Sequence, residues 1–369
     1  ANAGNKVVVV RLNNSGNDAL MNVYQFNSNK NIQIISPNLP ANFLQLILHF
    51  LKYPLLVFKA FSFNPKKMNT ELRQQYFLKL FNNNEFNIIH FEFSGLAVSF
   101  LDILKKIKPL TVFSCRGSAE KVKILTEPKR AEKLQQAINI ASAVHCVSND
   151  MKLTIAPYCS NLEKVFINRP AIDASFFSPN KQPSGFNGVS VLSIGRFTFQ
   201  KGYLIGILAI KKLIDKGFSI QWNIIGDGSQ MEEMIFHIHE LKLQNHIVLH
   251  GKKNKNEVSD WINKSDIFLL TSVYEGIPNV VLEAMAMELP VVTTKSGGVD
   301  EVIEHGVDGF IAPLYDIETV SNLLEKFIQD KQLALTMGKA ARQKILAEYT
   351  LERQLKVFEE AYQKILQQY

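Results

Sequence analysis

Short runs of β-branched and other apolar residues alternate with amphipathic stretches along both halves of the chain. That rhythm constrains the fold more than any other feature, because it is the signature of parallel strands joined by crossover helices. In the first half the strand candidates are Lys6–Arg11, Ile32–Ser36, Asn87–His90, Leu110–Ser114, Ala143–Val147 and Lys164–Ile167. In the second they are Ser190–Ile194, Gln221–Ile225, Ile247–Leu249, Ile267–Leu270 and Val291–Thr293, with helical stretches at Tyr203–Lys216, Met231–Leu241 and Val280–Met287. A stretch of linker composition, Ser178–Asn187, interrupts the rhythm, which then restarts. A chain of 369 residues suits two such units better than one core. The expected architecture is therefore α/β: an N-terminal domain over 1–178, a second over 186–350, and a polar helix over 351–369 that packs back across the gap. No internal repeat is visible.

Charge is unevenly spread. Residues 1–175 hold 21 Lys and Arg against 11 Asp and Glu, whereas the remainder holds 20 against 23. A basic first half fits an anionic membrane surface or acidic acceptor, and equally a solvated surface. No RNA-binding aromatic signature, zinc finger or recognition helix accompanies it, so nucleic acid is not expected as a partner. Cys115, Cys146 and Cys159 lie in apolar stretches without metal-binding spacing and read as reduced core thiols of a cytoplasmic protein. No charged-then-apolar leader is seen. Asn42–Phe63 is strongly apolar, yet Lys52, Lys59, His49, Gln45 and Pro54 interrupt it. A central Lys or Pro is costly in lipid, so this stretch reads either as a helix in the membrane interface, with Lys66 and Lys67 just beyond, or as a hydrophobic hairpin over the first sheet.

The densest chemistry falls in four places in the second half, each just after a strand, where open α/β sheets bind ligands. Gly195-Arg196-Phe197 is followed by Lys201-Gly202, two cations suited to a diphosphate. Gly226-Asp227-Gly228 makes a tight turn but lacks the full dinucleotide fingerprint, which disfavours a nicotinamide cofactor. In the third, Thr271–Met285, a polar loop carries Glu275 and Gly276, and Pro278 and Asn279 open a helix whose free N–H groups form an anion site. Glu283 then stands among Val280, Val281, Leu282, Ala284 and Met285, where a carboxylate needs hydrogen-bond donors such as ribose hydroxyls, unless it faces solvent. The fourth, Gly297-Gly298-Val299-Asp300-Glu301, allows close backbone approach.

In this order the motifs resemble the retaining glycosyltransferases of family four, which have the GT-B fold. The resemblance rests on G-R-F-x3-K-G at Gly195–Gly202, G-D-G at Gly226–Gly228 and the E-x7-E pair Glu275 and Glu283, with E-A-M-A, L-P-V-V and G-G-x2-E following. It is strong over about residues 186–312 and looser before them. It implies two Rossmann-like, doubly wound domains facing a deep cleft, with the last helix crossing back. It implies transfer of a sugar from a UDP- or GDP-linked donor to a glycan or lipid-linked acceptor, with retention and without metal or other cofactor. Such a protein would be cytoplasmic, at most peripheral to the inner membrane surface, and active in polysaccharide or glycolipid biosynthesis. By position, Arg196 and Lys201 would bind the diphosphate, Glu283 the ribose and Glu275 the transferred sugar. Gly276, Ile277, Asn279 and Val280 would touch sugar and phosphate, with Gly226 nearby and Lys252 at the nucleotide base. Arg116 and Ser118, in an R-G-S loop, and His90 would face the acceptor.

Three positions depart from the family pattern. Its first loop usually carries a Gly pair, but here Asn13-Asn14-Ser15-Gly16 supplies only Gly16. Glu288 replaces a customary helix-ending Gly. Arg169–Asp173 reads R-P-A-I-D in place of Asn-Gly-Val-Asp. A sugar-nucleotide epimerase of the same architecture and a non-catalytic donor-binding partner protein remain as rival readings; a phosphorylase-like enzyme is disfavoured, because no pyridoxal lysine site is evident.

Overall fold

The computed structural model describes the backbone of residues 7–10 and 32–35, and residues 78, 82 and 86–368 in full. The expected Gly16 loop and the apolar Asn42–Phe63 segment lie outside the described residues. The chain divides into two compact units, Ala1–Glu85 and Phe86–Tyr369. In the first, β1 (Val7–Val10) pairs in parallel with β2 (Ile32–Ile35). The second unit contains both sides of the 178–187 break.

Its first sheet is parallel, ordered β3 (Ile88–Phe91), β4 (Leu110–Cys115), β5 (Ala143–Cys146) and β6 (Val165–Ile167). Helices α1 (Arg130–Ile140) and α2 (Asn149–Ile155) flank it. The second sheet holds six parallel strands: β7 (Val189–Ile194), β8 (Ile220–Ile225), β9 (Ile247–Leu249), β10 (Ile267–Leu270), β11 (Val291–Thr294) and β12 (Phe310–Ala312). Their spatial order is β12-β11-β10-β7-β8-β9, so the winding reverses between β7 and β10. Strands covered on both faces read as continuous apolar runs, and β10 (Ile-Phe-Leu-Leu) and β11 (Val-Val-Thr-Thr) are buried throughout. Trp222, Phe197, Ile210 and Leu213 fill one face of this sheet, with Phe268, Leu282, Met285 and Ile345 in the cluster on the other.

The helices follow from capping and periodicity. Helix α3 (Tyr203–Asp215) begins after Gly202, whose φ of +58° and lack of Cβ are both required, since a Cβ there would meet Thr271 O at 2.2 Å. Then come α4 (Met231–Glu240) and α5 (Lys255–Lys264), the latter with a capping box between Asn254 and Glu257. Helix α6 (Asn279–Ala286) starts behind Pro278, which occupies the cap position; Asn279 is the first helical residue and makes no side-chain cap, unlike the sequence expectation. Helices α7 (Ile317–Gln329), α8 (Lys331–Glu348) and α9 (Leu351–Gln367) complete the unit. β12 was not expected, because three residues between Gly309 and Pro313 carry no readable alternation.

Helix α9 crosses back onto the first sheet. Ile365 packs with Val112 and Ala143, and the Phe358 ring meets His145 edge-on at 4.9 Å between centroids. Asn168 Nδ2 donates to Gln354 O at 2.9 Å, and the Ile172–Thr350 bridge ties the two interdomain passages together. Cys115 and Cys146 are buried, as expected, but Cys159 is half-buried, its thiol donating to Asn161 O at 3.0 Å.

Glu288 ends α6 with φ +57°, the left-handed conformation that glycine adopts without Cβ strain. Its only ion-pair partner among the described residues is Arg342, at 3.9 Å. Glu288→Gly is expected to relieve about 1 kcal/mol of strain and raise the midpoint by about 2–4 °C in calorimetry. A fall in midpoint would show that the Arg342 contact outweighs the strain.

Candidate functional site

Both loops flanking the reversal point converge on one cleft of about 370 Å³. From β7 the chain delivers Gly195 and Arg196. This loop rests on the Gly-Asp-Gly turn after β8, where Phe197 N donates to Asp227 O and Gln230 N to Phe197 O, each at 2.9 Å. A Cβ on Gly226 (φ +156°) would lie 1.9 Å from Gly195 O. Gly226 therefore makes room for the neighbouring loop. Arg196 is exposed at the cleft and has no carboxylate partner among the described residues.

Lys201 closes the short turn Phe199–Lys201. Its Nζ donates to Glu275 Oε1 at 2.6 Å, and Ser272 Oγ donates to the same oxygen at 2.7 Å. Both partners are mostly buried at the cleft wall, and such short charge-assisted bonds are strong where water is scarce. Just beyond, the Asn279 and Val280 N–H groups have no intrahelical acceptor, since Val281 N already takes Pro278 O. Val280 lines the cleft, Asn279 is exposed, and Ile277 is buried in the core.

The facing wall comes from the first sheet. Phe93 follows β3; Arg116, Ser118 and Glu120 follow β4. Arg116 forms an ion pair with Glu92, and its guanidinium lies 5.1 Å over the Phe93 ring. Ser118 lines the cleft beside Arg116. Glu120 is buried: Ser94 Oγ donates to one carboxyl oxygen, Gly117 N to the other at 3.0 Å, and burial pushes its pKa up. The two walls touch at glycines. A Cβ on Gly276 would meet Arg116 O at 2.4 Å, and one on Gly298 would meet Ser148 Cβ at 2.7 Å. Glu301 spans the same seam, accepting from Asp150 N at 3.0 Å and pairing with Arg169 at 2.8 Å.

Other expected residues sit apart from the cleft. His90 lies under α9, where Nδ1 meets Tyr362 Oη at 2.6 Å and Nε2 meets Ser114 Oγ at 2.8 Å. Ser114 Oγ meets His145 Nδ1 at 2.8 Å, and His145 Nε2 donates to Asn168 O. Burial lowers His90 to about 3 and His145 to about 4, with the neighbouring His145 and Arg116 adding to the first. His90 therefore reaches the cleft only through Ser114. Lys252 is 79 % exposed and pairs with Asp227 at 3.1 Å. Gly276 presses on the facing wall. Glu283 is half-buried beside the sheet, no hydrogen bond holds its carboxyl among the described residues, and burial pushes its pKa to about 7 against the pull of Lys255. Sequence reading missed Glu92, Phe93 and Glu120; for Glu120 the only local signal was a Glu three residues after Gly117, as in a capping box.

Residues 177–344 match the model of the family described as Glycosyl transferases group 1. The chain is 28 % identical over 270 residues to the amylovoran biosynthesis glycosyltransferase AmsK of Erwinia amylovora, covering 71 % of this chain and 66 % of that one. It is 27 % identical over 215 residues to the UDP-Gal:alpha-D-GlcNAc-diphosphoundecaprenol alpha-1,3-galactosyltransferase of Escherichia coli, covering 58 % and 54 %. Either match spans less than two thirds of the relative's length. Among solved structures, HepE of Anabaena in complex with UDP-glucose superposes with a TM-score of 0.71 at 17 % identity, covering 97 % of this chain and 91 % of that one. The fold is GT-B.

Because burial raises Glu283 from 4.5 to about 7, the folded chain holds this proton more tightly than the unfolded chain does. Its contribution to stability is full below pH 4.5 and lost as pH rises through about 7. Wild type and Glu283→Gln should therefore melt alike at about pH 5, with wild type lower at about pH 8. A difference independent of pH would mean that Lys255 keeps the carboxylate ionised throughout.

Proposed function

We propose that this group 1 glycosyltransferase chain is a retaining enzyme. It moves a sugar from a UDP- or GDP-linked donor to a glycan or lipid-linked acceptor, in cell-surface polysaccharide or glycolipid assembly, without a metal ion or other cofactor. One observation carries the reading: Arg196, a cation with no carboxylate partner among the described residues, faces the cleft at the reversal point, beside the Lys201–Glu275 pair and the open N–H groups of α6. That set matches a diphosphate, which offers anionic oxygens to a planar fork, an ammonium and backbone amides at once. The relatives support the chemistry, since their names specify a UDP-sugar, a diphospholipid-linked acceptor and exopolysaccharide synthesis.

In this mechanism the diphosphate lies against Arg196, Lys201 and the start of α6. As the anomeric bond breaks, negative charge grows on the departing phosphate, and these groups, fixed beforehand, stabilise it. Glu275, oriented by Lys201 and Ser272, holds hydroxyls of the transferred sugar. Glu283 takes the ribose, and Lys252 stands toward the base.

Retention is the outcome that the resemblance implies, with the acceptor attacking from the side the phosphate leaves. The described lining carboxylates support that reading, since Glu275 is tied to Lys201 and Glu120 to Ser94 and Gly117. Charge on the departing diphosphate is assigned to Arg196 and the amides of α6, with Lys201 shared between the phosphate and Glu275; among the described residues no group of three or more His, Cys, Asp and Glu side chains gathers as metal ligands would. Any contact with the inner membrane surface is proposed for the apolar stretch Asn42–Phe63, whose sequence equally suits a hydrophobic hairpin over the first sheet; among the described residues no helix is long and apolar enough to cross a membrane.

Arg196→Ala should lower turnover about a hundredfold, by roughly 3 kcal/mol of lost transition-state stabilisation. The assay is a panel of UDP- and GDP-sugars, run with and without acceptor and read by proton NMR of the product anomer. Near-normal turnover removes the phosphate clamp. An inverted product removes retention, and donor isomerisation without acceptor selects the epimerase reading.

A further inference from the structure

The charges around the cleft are unequally compensated, and that inequality separates its two walls. Lys201 is neutralised by Glu275. Arg116 is neutralised by Glu92. The carboxyl of Glu120 is engaged by Gly117 N and Ser94 Oγ. Arg196 alone, among the lining cations, lacks a counter-charge among the described residues. An anionic ligand is therefore drawn to the β7 side, and the wall built from β3 and β4 presents no free positive charge.

What that wall does present is Phe93. Its ring is 52 % exposed although it lines the cleft, and the Arg116 guanidinium covers one face. A single exposed Phe on an open surface needs no explanation. One held inside a polar cleft, braced by a cation and adjoining a salt bridge, is a flat apolar surface beside fixed donors and acceptors, which is how specific small-ligand sites are built. A pyranose has the complementary form: a face of axial C–H groups and a rim of hydroxyls. Its C–H face matches the open side of the Phe93 ring, and its hydroxyls can bond to Glu92 and Arg116. A phosphate group acting as the attacked acceptor would meet Glu92 with no unpaired cation opposite.

We infer that Phe93, with the Glu92–Arg116 pair, forms the acceptor subsite, and that it takes an uncharged pyranoside ring as the group that receives the sugar. This rests on the glycosyltransfer reading and adds the acceptor's chemical class. Phe93 determines acceptor affinity and leaves the donor side untouched.

Initial rates are measured with octyl pyranosides of several sugars and, separately, with undecaprenyl phosphate, using the donor panel above. UDP and GDP binding is followed by calorimetry. Phe93→Ala should raise KM for the best glycoside about tenfold while leaving nucleotide affinity within about twofold, and Phe93→Tyr should restore KM. Phe93→Trp should show a glycoside-dependent change in emission. An unchanged KM in Phe93→Ala, no glycoside-dependent change in Phe93→Trp, or faster turnover on undecaprenyl phosphate than on any glycoside would overturn the subsite. Failure of the wild-type chain to bind UDP or GDP would instead overturn the glycosyltransfer reading beneath it.

Discussion

The bond between Lys201 and Glu275 joins the two loops that part where the second sheet reverses its winding. A doubly wound sheet leaves a crevice there, because the connections on either side depart to opposite faces. An open crevice alone would let both loops move independently. The 2.6 Å contact, backed by Ser272 and by Thr271 Oγ1 donating to Gly202 O at 2.9 Å, closes one loop on the other. Gly202 is required for this, because its missing Cβ is the space that Thr271 O occupies. The pair also removes the net charge of both partners and leaves Arg196 as the cation that sets the sign of the site.

The seam between the two walls obeys a similar steric rule. Gly276 faces the Arg116 carbonyl and Gly298 the Ser148 side chain, and a Cβ would come within 2.4 Å of the first and 2.7 Å of the second. Glu301 then fixes the angle by accepting from the first turn of α2 and pairing with Arg169 near the interdomain passage. An acid at a helix N-terminus is favoured by the helix dipole, so this contact stabilises the approach as well as aligning it. Two glycines that stand out in the sequence serve the meeting of the walls, Gly276 against Arg116 and Gly298 against Ser148, while Gly226 makes room for Gly195 within one wall.

The strands were legible because each buried parallel strand needs a run of apolar, largely β-branched residues, and Ile247–Leu249 and Ile267–Leu270 fall where the pattern puts them. Arg196, Lys201 and Glu275 were legible for a related reason: a strand end fixes where its next few residues must go. Glu92 and Phe93 were not. Their meaning depends on Arg116, which is 24 residues away in sequence from Glu92 and reaches it only because β3 and β4 are neighbours. His90 was visible as a strand-ending histidine, but its inward orientation is decided by Tyr362, 272 residues on. Single-strand patterns carry no information about such partners.

That buried chain of rings and hydroxyls has one consistent proton order. Asn168 O can only accept, so His145 Nε2 carries a hydrogen and neutral Nδ1 must accept from Ser114 Oγ. Ser114 in turn accepts from His90 Nε2, and His90 Nδ1 accepts from the Tyr362 hydroxyl. Every donor is used with both imidazoles uncharged, in keeping with the low values that burial gives them. The Ser114 hydrogen is therefore committed inward. Ser114 itself is fully buried at the cleft wall, so its hydrogen is spent within this chain and not offered to the cleft. The docking of α9 thereby fixes the proton order beneath that wall, through a histidine buried behind it.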